Sequence, residues 1–137
     1  MKRLKLAKCA LLVCCIVFAS QAWSQTTRSL TISGTSFSIE SYTVSIKIYK
    51  GSTLIENTTV RLGDGDKAEG PFYRSYPTND YPTSVEVSIQ CLPGFHVYFN
   101  GQEVFFYPYS YCSYSRSFSL GGADNHNVDN DIYIRCL

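Results

Sequence analysis

Tryptophan is nearly absent from this 137-residue chain: the single copy, Trp23, lies close to the N-terminus. A buried Trp packed on an inter-sheet disulfide, the mark of a true immunoglobulin domain, therefore has no candidate further along. Histidine is almost as scarce. Only His96 and His126 can serve as bases near neutral pH, and no nucleophile motif stands beside either. The chain also lacks a Gly-x-Ser-x-Gly elbow, a phosphate-cradling glycine loop and any zinc-type cysteine spacing. These absences point away from an enzyme, with a hydrolytic pairing of His126 and a distant serine as the residual catalytic option. Long apolar runs are missing too. The longest, from Cys9 to Ala19, holds about eleven residues, half of the roughly twenty a membrane-spanning helix needs.

What stands at the N-terminus has the pattern of a cleavable export signal. Lys2, Arg3, Lys5 and Lys8 precede the apolar run, and the small residues Ala22 and Ser24 place the cut after Ser24, with a cut after Ser20 as the alternative. The expected division is thus a signal peptide over residues 1–24 and one domain over 25–137, secreted or periplasmic. About 113 residues suffice for one core and are too few for two.

Removing the leader takes four of the twelve basic residues and none of the eleven acidic ones, so eight against eleven leaves a net charge of −3. That balance argues against nucleic acid and against anionic membranes, both of which need clustered Lys and Arg. The leader also removes Cys9, Cys14 and Cys15, leaving the odd set Cys91, Cys112 and Cys136. In an oxidising compartment one bridge plus one thiol is expected. Cys91 with Cys112 is the preferred pair, with Cys136 as the alternative partner.

Apolar residues alternate from residue 30 to the end, which is the period of a strand with one face against a core. Leu30 and Ile32 start the pattern and Phe37 and Ile39 follow. Tyr42, Val44, Ile46 and Ile48 form a long stripe, with Leu54, Val60 and Leu62 on the return. Residues 63–83 read as a polar loop. The stripe resumes at Val85, Val87, Ile89 and Cys91, then Phe95, Val97 and Phe99, and ends with Phe118 and Leu120 and with Ile132, Ile134 and Cys136. Asn100-Gly101 predicts a two-residue type I′ hairpin turn, because both positions need positive φ. The expected fold class is all-β: a small antiparallel β-sandwich, immunoglobulin-like or jelly-roll-like, of seven or eight short strands, with a small barrel as the alternative.

A regular hairpin at Asn100-Gly101 pairs Phe99 with Gln102, Val97 with Val104 and Phe95 with Phe106, all facing inward. His96, Tyr98, Glu103, Phe105 and Tyr107 then face outward. With Tyr109 and Tyr111 they form a candidate binding surface for a carbohydrate or a protein, since rings offer flat apolar area and phenols offer directional hydrogen bonds. Phe72, Tyr73, Tyr76 and Tyr81 are candidates to extend it. The competing expectation is that these rings are strand residues covered by the second sheet.

Acidic loops are the other cluster. Asp64, Asp66 and Glu69, and more so Asp124, Asp129 and Asp131, offer oxygen ligands of the kind Ca²⁺ takes, although Asp, Asn and Gly also simply build turns. No other cofactor is implied. Asn57-Thr58-Thr59 is a glycosylation sequon, meaningful only in a eukaryotic source. The function expected on these grounds is a non-enzymatic binding or adhesion module. The alternatives are an assembly subunit of a cell-surface complex, joined through a sheet edge or the odd cysteine, and a small secreted effector or inhibitor.

Overall fold

A computed structural model describes residues 27–109, 111–121 and 129–137, and of Cys91 the backbone alone. The expected signal peptide and His126 lie outside the described residues. No helix among the described residues is long and apolar enough to cross a membrane.

Among the described residues the alternating stripes become nine strands: β1 (Thr27–Ser36), β2 (Tyr42–Lys50), β3 (Thr53–Leu62), β4 (Phe72–Pro77), β5 (Ser84–Leu92), β6 (Phe95–Phe99), β7 (Gln102–Tyr107), β8 (Cys112–Ser119) and β9 (Asn130–Cys136). One 3₁₀ turn, Thr78–Asp80, follows β4. The strands form two sheets, ordered β4-β1-β9-β6-β7 and β3-β2-β5-β8, so the fold is all-β and sandwich-like. Leu30 and Ile32 of β1, Ile132 and Ile134 of β9, and Phe95 and Val97 of β6 face Val44, Ile46 and Ile48 of β2 and Val85, Val87 and Ile89 of β5 in a single buried core. Each such side chain removed from water contributes roughly 1.5–3 kcal/mol.

Three expectations are corrected here. The five-stranded sheet is not wholly antiparallel, because β1 and β9 pair in parallel, with Ile32 opposite Ile132 and Ser36 opposite Cys136. The polar stretch at 63–83 contains a strand, β4, whose Phe72 lies opposite Ile32 at the sheet margin. Only Phe72 is fully buried, with Tyr76 half-buried against the core and the exposed Arg74 between them on that face, which is why the sequence reads as a loop. Finally, the expected Cys91–Cys112 bridge is not formed, nor is a bridge to Cys136, since Cys112 and Cys136 are both free thiols. Between the pairs Ile89–Tyr114 and Leu92–Cys112, two residues of β5 stand against one of β8. That bulge takes Cys91 out of direct register with Cys112, whose Sγ donates instead to the Ser113 carbonyl at 3.2 Å. Cys136 belongs to the other sheet and is fully buried; burial pushes its thiol pKa up, away from the reactive thiolate.

Two polar devices tie the sheets together. The Tyr42 hydroxyl, from one sheet, donates to the Ile134 carbonyl of the other at 2.9 Å. It passes over Gly34, where a Cβ would collide with the Tyr42 hydroxyl and lie 2.8 Å from the same carbonyl oxygen. At the opposite end the buried Arg28 guanidinium lies 3.8 Å over the Tyr81 ring and donates to the Leu120 carbonyl at 3.3 Å. The Tyr81 hydroxyl donates to the Ser29 carbonyl at 2.7 Å and accepts from the Asn130 amide at 3.1 Å. These bonds satisfy groups that would otherwise be costly inside the protein.

Candidate functional site

The hairpin of β6 and β7 positions the candidate surface. Asn100 and Gly101 have φ of 49° and 82° and close a two-residue loop between Phe99 and Gln102, as a type I′ turn requires. Beyond the turn the regular register does not hold. Tyr98 lies opposite Glu103, but Val97 lies opposite Phe105 and His96 opposite Phe106, so Val104 is an extra residue in a bulge on β7. One added residue moves every later side chain to the other face.

The expected outward set is therefore corrected in two places. Phe105 and Tyr107 turn inward and pack against the core, with Phe105 4.6 Å from Tyr114 and 5.5 Å from Phe95 between ring centroids. Phe106, expected inside, is 47% exposed and stacks on His96 at 4.1 Å and 11°. His96, Tyr98 and Glu103 stay on the outer face, where His96 Nδ1 and Glu103 Oε1 are 2.8 Å apart. Tyr109 and Tyr111 are exposed, on the connection to β8. Of the second aromatic group, Phe72 and Tyr81 are buried, Tyr76 is half-buried, and only Tyr73 is exposed.

The strand next to β6 in the sheet is β9, and it extends the face. Tyr133 lies opposite Tyr98 and Arg135 opposite His96. The rings of Phe106, His96, Tyr98 and Tyr133 consequently follow one another across three strands, with centroid separations of 4.1, 6.1 and 5.8 Å. Tyr133 is held in place by its hydroxyl, 2.7 Å from Thr35 Oγ1. At the β9 end of this track lies an open cleft of about 570 Å³, whose lining includes Tyr98, Tyr133, Arg135, Asp131, Phe37 and Asp64. That volume is in the range of small-molecule sites. The Arg135 guanidinium is 5.9 Å from the centre of the exposed Phe37 ring, and partial burial raises the Asp131 pKa above that of an ordinary aspartate.

Of the expected metal ligands, Asp124 lies outside the described residues. Asp129 Oδ1 accepts from the Ser29 amide at 2.8 Å, and Asp131 faces the cleft. In the other acidic loop, Asp64 accepts from the Ser36 amide and Glu69 from the Arg61 amide, the turn-building role these residues commonly take. Among the described residues no three His, Cys, Asp or Glu side chains stand together as a metal site would require.

Sequence reasoning missed Phe106, Tyr133, Arg135, Phe37 and Thr35. The alternation Asp131, Tyr133, Arg135 is visible in the chain, opposite in phase to Ile132, Ile134 and Cys136. It could have marked an outward stripe, but not the strand beside which it lies. No family model, no curated protein and no solved structure matches this chain.

Proposed function

We propose that this chain is an exported, non-enzymatic recognition module that binds a glycan along the outer face of its five-stranded sheet. The supporting observation is the run of four rings, Phe106, His96, Tyr98 and Tyr133, on the face turned away from the core. Flat rings in sequence suit the apolar faces of successive sugar residues, and the flanking hydroxyl, carboxylate and guanidinium groups suit their hydroxyls. A rigid sheet face also spares the binding reaction the cost of ordering a loop.

Screening the purified chain on a glycan array tests this reading, with the double substitution Tyr98→Ala and Tyr133→Ala as the control. The expected outcome is binding by the parent chain and its loss in the variant at an unchanged fold. Binding that survives the double substitution, or a parent chain that retains no glycan, refutes it.

An assembly role keeps one supporting observation: the half-buried free thiol of Cys112 begins β8, an edge strand. Sedimentation with and without reductant distinguishes the two readings. A monomer in both conditions removes the assembly reading, and a dimer lost on reduction supports it.

A further inference from the structure

We propose that the cleft at the β9 end of the aromatic track takes a neutral sugar residue, with Asp131 and Arg135 reading its hydroxyl groups from opposite sides of Tyr133. This deepens the glycan reading above and rests on it.

The placement follows from β9 itself. Alternate residues of a strand share a face, so Asp131, Tyr133 and Arg135 all project into the cleft, the two charged residues about 13 Å apart at Cα along an extended chain. A ring stacked on Tyr133 therefore lies between an acceptor and a donor. Among the described residues neither charged group is committed in the way Asp64 is: Asp64 accepts from the Ser36 amide, whereas the Arg135 guanidinium rests against Phe37.

The charges then select the ligand class. A ligand carrying only negative charge meets the carboxylates of Asp131 and Asp64 with a single guanidinium to offset them. A ligand carrying only positive charge gains from the two carboxylates but offers no acceptor to the Arg135 guanidinium beside Phe37. A polyhydroxylated neutral ring satisfies both sides, because each hydroxyl donates as well as accepts. It gives its protons to the Asp131 carboxylate and its lone pairs to the Arg135 guanidinium, and both are charge-assisted bonds of the stronger kind.

The test is calorimetric titration of the purified chain with hexasaccharides of β-1,4-glucose, β-1,4-mannose, β-1,3-glucose and β-1,4-xylose, and with an α-1,4-galacturonate hexamer. At least one neutral hexasaccharide is expected to bind at least ten-fold more tightly than the galacturonate. Asp131→Asn and Arg135→Gln are each expected to weaken that binding roughly ten-fold, the loss of a hydrogen bond to a charged group, with the melting temperature preserved. Galacturonate binding as tight as the best neutral ligand overturns the inference. So does neutral binding that both substitutions leave within two-fold while Tyr98→Ala abolishes it, and in that case the aromatic track survives as the site. If no neutral or acidic hexasaccharide binds the parent chain, the glycan reading and the inference fall together.

Discussion

At the scale of single residues, the tightest constraint is at Gly34. A methyl group there would meet the Tyr42 hydroxyl and the Ile134 carbonyl, and both are parts of a buried hydrogen bond that joins the sheets. Gly34→Ala is expected to cost about 2–3 kcal/mol, since overpacking and a broken buried bond act together. Urea denaturation measures this, and a midpoint equal to that of the parent would show that Tyr42 can move aside. Tyr76 gives the opposite case. Its hydroxyl is buried with no hydrogen-bond partner among the described residues, and burial pushes its pKa up to about 12. Removing the hydroxyl by Tyr76→Phe is expected to leave stability unchanged or to raise it by about 1 kcal/mol; a clear loss in the same assay would reveal a partner.

Among the elements, the β6–β7 hairpin makes the bulge measurable. Phe105 and Phe106 are neighbours of identical chemistry on opposite faces. Phe105→Ala is expected to destabilise by about 2–3 kcal/mol, as emptying a partly buried aromatic site does, whereas Phe106→Ala is expected to cost less than about 1 kcal/mol. Thermal melts of the two variants decide the register, because a regular hairpin with no extra residue at Val104 reverses the order. The bulge has a functional consequence as well. It moves Phe106 out beside His96 and so begins the track that continues through Tyr98 to Tyr133.

Across the whole molecule, the phenols and the buried thiol predict alkaline sensitivity. Tyr42, Tyr76, Tyr81, Tyr114 and Cys136 all have pKa values raised in the folded state, burial being the largest cause in each. Above the ordinary values of 9.0 for the thiol and 10.0 for the phenols, the unfolded chain releases these protons while the folded chain retains them. The unfolded state then binds fewer protons, so stability falls as pH rises. The melting temperature is expected to hold through neutrality and to decline from about pH 9 upward. A profile flat to pH 11 would mean that these groups reach solvent. Topology makes a second prediction at this scale: β9, the last strand, lies between β1 and β6 in the sheet, so a chain ending at Asp129 loses the middle of its sheet and is expected not to fold, as circular dichroism would show.

Much of this architecture is local and so is legible along the chain. Alternation at Tyr42, Val44, Ile46 and Ile48 determines a one-sided strand, because side chains of an extended backbone point to opposite faces in turn. Asn100-Gly101 determines its own turn, because positive φ is a property of those two residues. The candidate surface was legible at His96 and Tyr98, which lie on β6, the strand of the hairpin that carries no extra residue. Tertiary structure decided the rest. Whether β7 carries an extra residue depends on how Phe105 packs against Phe95 and Tyr114, a contact no neighbouring residue encodes. That Tyr133 and Arg135 stand beside Tyr98 and His96 depends on the antiparallel pairing of β9 with β6, and strand order is set by how the two sheets share one core rather than by any spacing within a strand.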